Sequence, residues 1–276
     1  MEMKMKDVLQ ATSFRFNKAL GQNFISDTNL LKGIVTDSGI TPDDVVVEIG
    51  TGAGTLTRQI ASVAKQVYSF EVDQNLIPVH ELSLSGIDNL QVIFRDILKM
   101  KDDEFKSIVG EGEFKVVANL PYYITTPLIM RFLESDLNVT SLTIMVQEEV
   151  GRRLVAKPNT ADYSAITLAV LLRGEGTITR KVGRNMFYPA PNVDSAVVRI
   201  DVDKDKLAGE NKALIHKLVR SAFLMRRKTL VNNLNASFGL SKAEAAEKLI
   251  AAGLDERVRG EALSLEDYVN LSHQFR

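Results

Sequence analysis

The chain of 276 residues contains 45% hydrophobic and 25% charged residues, carries a formal net charge of −1 and has no cysteine. This composition is typical of a globular protein large enough for two domains, and it excludes disulfides and cysteine-ligated zinc or iron–sulfur centres. No apolar run reaches the roughly 20 residues that span a membrane. The first residues lack the apolar core of a signal peptide and the three histidines are scattered, so we expect a cytoplasmic protein with no membrane partner and no metal.

The first 200 residues alternate between short apolar runs and segments with helical spacing. Strands that alternate with helices form a mostly parallel sheet covered on both faces, so this part predicts a doubly wound α/β domain. The predicted helices are 55–64 and 76–84, and the predicted strands are 45–49, 67–72, 90–94, 114–118, 141–146 and 195–202.

The last 70 residues favour helices. Residues 212–234 have helical spacing, and Ser241–Glu244 and Ser264–Asp267 both resemble N-terminal capping boxes. Gly253 is typical of a helix end. The sequence therefore predicts a small all-helical domain, and we place the two domains at residues 1–205 and 206–276.

Positive charge is concentrated late in the chain. Residues 150–200 hold eight basic and three acidic residues, and residues 206–276 hold twelve basic and eight acidic ones. Phosphate contacts supply most of the sequence-independent affinity for nucleic acids, so these regions predict an RNA or DNA partner. The alternative is an ordinary solvated surface. The candidate contacts are Arg152 and Arg153, and the cluster Arg226, Arg227 and Lys228, which the spacing places on the first long helix of the second domain.

The segment 48–54, Glu-Ile-Gly-Thr-Gly-Ala-Gly, joins a predicted strand to a predicted helix. Gly50 and Gly52 allow a sharp turn and the close approach of a ligand, although such turns also serve simple packing. Glu71 ends the next strand, where a carboxylate accepts both hydroxyls of a ribose, and Asp96 ends the third, within reach of an adenine amino group. The three strand ends together predict a nucleoside site.

The segment Asn119-Leu120-Pro121-Tyr122 ends the fourth strand. An amino group conjugated to a ring is a poor nucleophile. The Asn119 side-chain oxygen and the Leu120 carbonyl can each accept one of its N–H bonds and direct its lone pair at a methyl donor. Tyr122 can stack on the base. Together with the upstream glycine segment, this motif predicts an S-adenosylmethionine-dependent methyltransferase that acts on such a nitrogen.

These motifs resemble those of the KsgA (RsmA) family of ribosomal RNA adenine dimethyltransferases, whose relatives include the Erm resistance methylases. Further matches are the opening motif 18–25, the late motif 187–197, and residues 222–230 in the helical domain, where Leu224 and Met225 stand at positions that are usually polar in the family. The resemblance implies a Rossmann-like fold with a seven-stranded sheet and cofactor contacts at Asn23, Ile25, Gly50, Glu71, Asp96 and Asn119. It also implies that Phe187 packs against the target adenine.

By the same resemblance, the product is N6,N6-dimethyladenosine at two adjacent adenosines in the 3′-terminal hairpin loop of 16S rRNA. S-adenosylmethionine is the methyl donor and S-adenosylhomocysteine the second product. The partner would be a precursor of the small ribosomal subunit, and we expect a monomer.

Three alternatives remain open. The first is an Erm-like enzyme that methylates 23S rRNA, and the second is a methylase of DNA adenine or protein glutamine, which also use an Asn-x-Pro-Tyr segment. The third is a mainly non-enzymatic ribosome assembly or transcription factor.

Overall fold

The structure, a computed structural model, describes residues 4–17 and 20–275, and the chain forms two compact units. Unit 1 comprises residues 1–151 and 177–202, and unit 2 comprises residues 152–176 and 203–276. Within the described residues, no helix combines the length and apolar character needed to cross a membrane.

Nine strands and twelve α-helices are found among the described residues. The strands are β1 (Phe24–Ile25), β2 (Val45–Ile49), β3 (Gln66–Glu71), β4 (Leu90–Phe94), β5 (Phe114–Asn119), β6 (Val139–Gln147), β7 (Gly174–Val182), β8 (Phe187–Tyr188) and β9 (Ser195–Val202). The helices are α1 (Met5–Ala11), α2 (Thr28–Asp37), α3 (Thr55–Ala61), α4 (Ile77–Ser83), α5 (Asp102–Val109), α6 (Thr125–Leu133), α7 (Glu148–Leu154), α8 (Ala165–Leu171), α9 (Lys212–Ala222), α10 (Leu230–Phe238), α11 (Lys242–Ala251) and α12 (Leu265–Ser272).

The main sheet has seven strands in the order β4-β3-β2-β5-β6-β9-β7. The pairs β2–β3, β3–β4, β2–β5 and β5–β6 are parallel, whereas β6 and β9 are antiparallel. The strand order reverses between β2 and β5, since the chain leaves β2 toward β3 and β4 and later returns beside β2. Ligands of such sheets bind at this switch point, outside the carboxyl ends of the strands.

Apolar side chains cover the sheet on both faces. Ile34 of α2 and Ile60 of α3 pack with Val46 and Val67 in one core cluster. On the opposite face, the ring of Phe105 from α5 stacks on a sheet residue, Phe70, at a centroid distance of 6.1 Å. The predicted doubly wound, mostly parallel α/β fold is confirmed.

The strand β7 and the strand pair β1–β8 are not apparent in the sequence. β7 contains Gly174 and Gly176 together with charged residues, and such residues are depleted in strands. It lies at the edge of the sheet, where β9 is its one neighbour among the described strands. The antiparallel pair β1–β8 is only two residues long and joins Ile25 to Phe187 across 162 positions of the chain, a pairing that no local pattern predicts.

Unit 2 is built around a helical core. Tyr163 and Leu168 pack with Leu218 of α9, Leu234 of α10 and Tyr268 of α12, and all five are buried. Ser241 and Ser264 form the two capping boxes that the sequence predicts, at the starts of α11 and α12. Gly253 follows α11 with a φ of 78°, as expected of a helix end.

The prediction of one helix over 212–234 is wrong. α9 ends at Ala222, and α10 begins at Leu230. The buried Asn233 side chain holds the intervening turn: its amide nitrogen donates to the Ala222 carbonyl at 3.0 Å, and its oxygen accepts from the Met225 N–H at 3.2 Å. These bonds satisfy backbone groups that lose their helical partners where α9 ends. The helix can therefore end at Ala222 even though the amphipathic pattern continues beyond it.

The boundaries of the two compact units differ from those of the predicted domains. Residues 152–176, which we assigned to the first domain, group with the helices of unit 2. With this grouping, unit 2 contains 17 basic and 12 acidic residues, for a net charge of +5, and the rest of the chain carries −6.

Candidate active site

A pocket in unit 1 lies at the carboxyl ends of β2, β3 and β5, where the sheet order reverses. Its empty volume is about 1050 Å³, part of which is open to solvent. It brings together every residue that we expected at the cofactor and the acceptor: Asn23, Ile25, Gly50, Gly52, Glu71, Asp96, Asn119, Leu120, Pro121, Tyr122 and Phe187. Their individual roles stay predictions.

The glycine segment lies between β2 and α3 in a conformation that requires glycine. Gly50, Gly52 and Gly54 have φ angles of 82°, 53° and 78°. A Cβ atom on Gly52 would lie 3.1 Å from the ring of Phe24, and one on Gly50 would lie 3.4 Å from the Asn119 carbonyl oxygen. The loop therefore passes close to the acceptor motif because β2 and β5 are neighbours in the sheet.

Glu71 is buried at the end of β3, and both of its carboxylate oxygens already accept hydrogen bonds. Oε2 accepts from the Gly52 N–H at 2.9 Å, and Oε1 accepts from the N–H groups of Val72 and Asp73 at 2.8 and 2.9 Å. A carboxylate has about four acceptor sites, so capacity remains for a ligand hydroxyl. Glu71 therefore shapes the loop as well as lining the pocket.

Asp96 follows β4 and is half-buried. Its Oδ1 accepts from the Leu98 N–H at 3.1 Å, and its Oδ2 lies 3.2 Å from Lys99 Nζ. These contacts fix the carboxylate at the pocket wall while leaving it acceptor capacity.

Beneath the loop lies a buried polar chain that the sequence analysis did not single out. Ser69 Oγ donates to Glu48 Oε2 at 2.6 Å, and Thr51 Oγ1 lies 2.7 Å from Ser69 Oγ. Burial raises the pKa of Glu48 to about 8, an effect that the hydroxyls of Ser69 and Thr57 oppose and the negative charge of Glu71 reinforces. At neutral pH Glu48 is therefore largely a neutral acid under the glycine loop.

The orientation of the Asn119 side chain follows from a single hydrogen bond. Its Nδ2 donates to the backbone carbonyl of Asn23 at 3.2 Å. A carbonyl oxygen only accepts, so the amide group cannot be turned the other way, and the Asn119 side-chain oxygen is kept as an acceptor in the pocket. Asn23 in turn donates its own side-chain N–H to the Gly21 carbonyl at 2.9 Å.

The two aromatic candidates differ in their exposure. The Tyr122 hydroxyl lies 2.8 Å from Ser195 Oγ, and partial burial raises the Tyr122 pKa, opposed by Ser195 and reinforced by Asp194. Phe187 is only 5% exposed and packs in the sheet core beside Ile25, its partner in β1. Phe187 lines the pocket with only a small exposed surface, and its expected contact with an adenine stays a prediction.

The opening motif crosses the same pocket. A Cβ atom on Gly21, whose φ is 57°, would lie 3.2 Å from Pro121, and Gln22 donates to Asp73 at 2.7 Å. Lys18 and Ala19, the first residues of this predicted motif, lie outside the described residues. The pocket also includes Tyr123, which is 62% exposed; the sequence analysis did not assign it to the site, although it directly follows the acceptor motif.

The predicted RNA contacts all fall in unit 2. Arg226, Arg227 and Lys228 are exposed, but they lie in the turn between α9 and α10 and not on a helix, which corrects our placement. The Arg226 guanidinium donates to the Ala161 carbonyl at 3.4 Å, and Arg152 lies 3.4 Å from Asp162. Arg153, which adjoins Arg152 on α7, is partly exposed. Leu224 is 64% exposed, so the apolar residue at this usually polar position is on the surface.

A doubly wound sheet with a glycine loop, strand-end carboxylates and an Asn-Leu-Pro-Tyr turn around one pocket defines a methyltransferase of the Rossmann-like class. The model of the family described as ribosomal RNA adenine dimethylase matches residues 13–276, and the chain belongs to this family. It is an enzyme of the methyltransferase class, as the sequence analysis predicts.

Individual relatives agree with this assignment. The chain is 45% identical over 270 residues to ribosomal RNA small subunit methyltransferase A of Clostridioides difficile (strain 630), covering 97% of this chain and 93% of that protein. Among solved structures, a dimethyladenosine transferase from Plasmodium falciparum matches with a TM-score of 0.77 and 26% identity, over 90% of this chain and 95% of that one. The 23S rRNA methyltransferase ErmE matches with a TM-score of 0.71 and 26% identity, over 91% of this chain and 99% of that one.

Proposed function

We propose that this enzyme transfers methyl groups from S-adenosylmethionine to N6 of two adjacent adenosines in the 3′-terminal hairpin loop of 16S rRNA. The product is N6,N6-dimethyladenosine, and four transfers complete both nucleosides. The observation that carries the proposal is Asn119, which lines the same pocket as the glycine loop and Glu71 and whose amide nitrogen is engaged by the Asn23 carbonyl, so that its oxygen remains as an acceptor.

The residues of the pocket fit the methyl donor. When bound, S-adenosylmethionine supplies an electrophilic methyl group, and its demethylated form leaves as S-adenosylhomocysteine. Glu71 and Asp96 offer acceptors for ribose hydroxyls and an adenine amino group, and the glycine loop leaves space that a side chain on Gly50 or Gly52 would fill. Asn23 and Ile25 also line the pocket.

The acceptor half of the pocket suits a planar amine. The Asn119 oxygen and the Leu120 carbonyl each accept one N–H of the adenine amino group, which reduces the conjugation of its lone pair with the ring. The nitrogen loses a proton only after it has gained the methyl group, so positioning and electrostatics supply most of the rate without a strong general base. Tyr122, whose hydroxyl lies 2.8 Å from Ser195 Oγ, and Phe187, which is 5% exposed, are the residues that we propose confine the base.

The substrate that we propose is 16S rRNA within a precursor of the small subunit. Single-stranded loops expose bases that can be turned into a pocket, which a base-modifying enzyme requires. The positive charge of unit 2, with Arg152, Arg153 and the 226–228 cluster, suits contact with rRNA phosphates. We further propose that the enzyme acts as a monomer, in the cytoplasm where this substrate is assembled.

The relative named a small-subunit methyltransferase, at 45% identity, favours 16S rRNA over the 23S rRNA of Erm-like enzymes, which the chain resembles at 26%. A purely non-enzymatic role is disfavoured because the donor and acceptor residues lie around one pocket.

The test supplies small subunits and 23S rRNA that lack adenine methylation, with S-adenosylmethionine, and measures products by mass spectrometry. We expect dimethyladenosine in 16S rRNA alone. Asn119→Ala should lower the single-turnover rate about 100-fold, the usual effect of losing one such acceptor or donor, and leave rRNA affinity nearly unchanged. Asn138→Ala, at the amino end of β6, is the matched control and should behave as wild type. Methylation of 23S rRNA would replace this proposal with the Erm-like one, and rRNA binding without methylation would favour the assembly factor.

A further inference from the structure

His80 occupies an unusual position beneath the cofactor loop. It lies on α4, outside every motif of the sequence analysis, and is 8% exposed. Its Nε2 lies 2.8 Å from the Gly52 carbonyl oxygen. Because a carbonyl oxygen accepts and does not donate, Nε2 carries the proton, and Nδ1 is the unprotonated nitrogen.

The imidazole is held in this tautomer by its surroundings. It stacks on Phe94 with a centroid distance of 5.6 Å and an interplanar angle of 27°. Nδ1 is buried and has no hydrogen-bond partner within the described residues, so a second proton would have no acceptor. Burial lowers the pKa of His80, against the opposing effects of the Gly52 bond and the nearby Glu71 charge, and the ring is neutral near pH 7.

Both peptide groups that flank the Gly52 Cα atom are consequently held by a side chain. Glu71 accepts from the Gly52 N–H at 2.9 Å, and His80 donates to the Gly52 carbonyl at 2.8 Å. α4 supports the loop at a second point, since a Cβ atom on Gly54 would meet Leu84 at 2.7 Å and Ser83 Oγ at 2.9 Å. Val79 and Leu76 of the same region pack with Ala53 in one buried cluster.

We propose that His80 is a positioning residue for the methyl-donor site, which it serves by fixing the Gly52 carbonyl and hence the shape of the glycine loop. The proposal rests on the proposed function, because it assumes that this loop binds S-adenosylmethionine. A loop of three glycines has wide backbone freedom, and ordering it at the moment of binding would lower affinity. Hydrogen bonds to the two peptide groups on either side of Gly52 restrict that freedom before the ligand arrives.

A matched pair of substitutions separates the hydrogen bond from packing. In His80→Gln, the side-chain amide reaches about as far as Nε2 and can still donate to Gly52. His80→Leu fills a similar volume without a donor. We expect His80→Leu to raise the dissociation constant of S-adenosylmethionine about 10-fold, and His80→Gln to stay within about 3-fold of wild type. The rate at saturating donor should be nearly unchanged in both, because His80 does not reach the reacting atoms.

A second readout does not depend on the ligand. Hydrogen exchange in the peptide containing residues 50–54 of the free enzyme should accelerate in His80→Leu and remain slow in His80→Gln. Equal exchange and equal donor affinity in both variants and wild type would overturn the positioning role, as would a loss in both variants alike. If wild type itself bound no S-adenosylmethionine, the proposed function would fail, whereas a loop loosened only in His80→Leu would still show that His80 orders it.

Discussion

Glu71 performs two tasks with one carboxylate. It accepts three backbone N–H bonds, from Gly52, Val72 and Asp73, and it lines the pocket where we place the ribose. The residue type of Glu71 and its place at a strand end predict the ribose contact. Its contacts with the glycine segment arise only in the folded chain, where β3 lies beside that segment. Removing this side chain therefore affects both ligand and loop.

We predict that Glu71→Ala weakens S-adenosylmethionine binding by about 1–3 kcal/mol, the usual loss for a hydrogen bond to a charged group. It should also lower the melting temperature, because three backbone N–H groups, that of Asp73 buried, lose their acceptor. Calorimetric titration and thermal unfolding measure the two effects. Glu81→Ala, which removes an exposed carboxylate from α4, is the control and should change neither. A folded Glu71→Ala protein with wild-type donor affinity would contradict the ribose assignment.

Glu48 gives the fold a distinctive pH dependence. Its pKa is raised from 4.5 to about 8 by burial, whereas in the unfolded chain it ionises near 4.5. Between pH 4.5 and pH 8 the folded state holds a proton that the unfolded state has lost. The contribution of Glu48 to the free energy of unfolding is therefore fully present below pH 4.5 and is lost progressively as the pH rises toward 8.

We predict that Glu48→Gln reduces this decline, which for one group is up to about 1.4 kcal/mol per pH unit. The amide keeps the acceptor for Ser69 and cannot ionise. Urea unfolding at pH 5 and at pH 8 measures the effect, with stability gained relative to wild type at pH 8 and little changed at pH 5. An identical pH dependence in both proteins would show that Glu48 does not stay protonated in the fold.

At the scale of the elements, the turn between α9 and α10 carries the three cations that we propose as rRNA contacts. It presents Arg226, Arg227 and Lys228 to solvent, and Arg226 contacts the loop that also carries Asp162, the ion-pair partner of Arg152.

We predict that replacing all three cations by Gln weakens small-subunit binding mainly at low salt and lowers the slope of log K against log salt by about 0.7–0.9 per lost phosphate contact. Affinity for S-adenosylmethionine should be unchanged. The control replaces three exposed lysines elsewhere, Lys65, Lys101 and Lys242, so that the total charge falls equally. If both triple variants lose the same affinity, net charge and not this turn is responsible, and an unchanged slope would direct attention to residues 152–184.

How far an element is predictable depends on where its stabilising contacts lie. The strands β2 to β5, the glycine loop and the capping boxes at Ser241 and Ser264 depend on local patterns, and the sequence predicts them well. The break after Ala222 depends on Asn233, eleven residues away, and the β1–β8 pair on residues far apart in the chain. The sequence around His80 does not indicate the role that we propose for it, because its contact with the Gly52 carbonyl arises only when α4 packs beneath the glycine loop.

At the scale of the whole molecule, the chain builds unit 2 from two separate segments. Tyr163, Leu168 and Leu172 come from the middle of the sequence, yet all are buried with the C-terminal helices. The Tyr163 hydroxyl donates to the Leu263 carbonyl at 2.7 Å. A boundary drawn at residue 205 from the change in composition therefore cuts through one hydrophobic core.

We predict that a fragment of residues 1–205 will expose apolar surface, because these three side chains lose the helices they pack against and each costs roughly 1.5–3 kcal/mol when exposed. The fragment should bind the dye ANS strongly and aggregate on concentration, whereas the full chain should not. A matched fragment with Tyr163→Ser, Leu168→Gln and Leu172→Gln should bind less dye, since the exposed patch has been made polar. Should the unmodified fragment instead stay monomeric, bind no dye and unfold cooperatively, residues 152–176 would belong with the first domain, and the boundary at 205 would be the correct one.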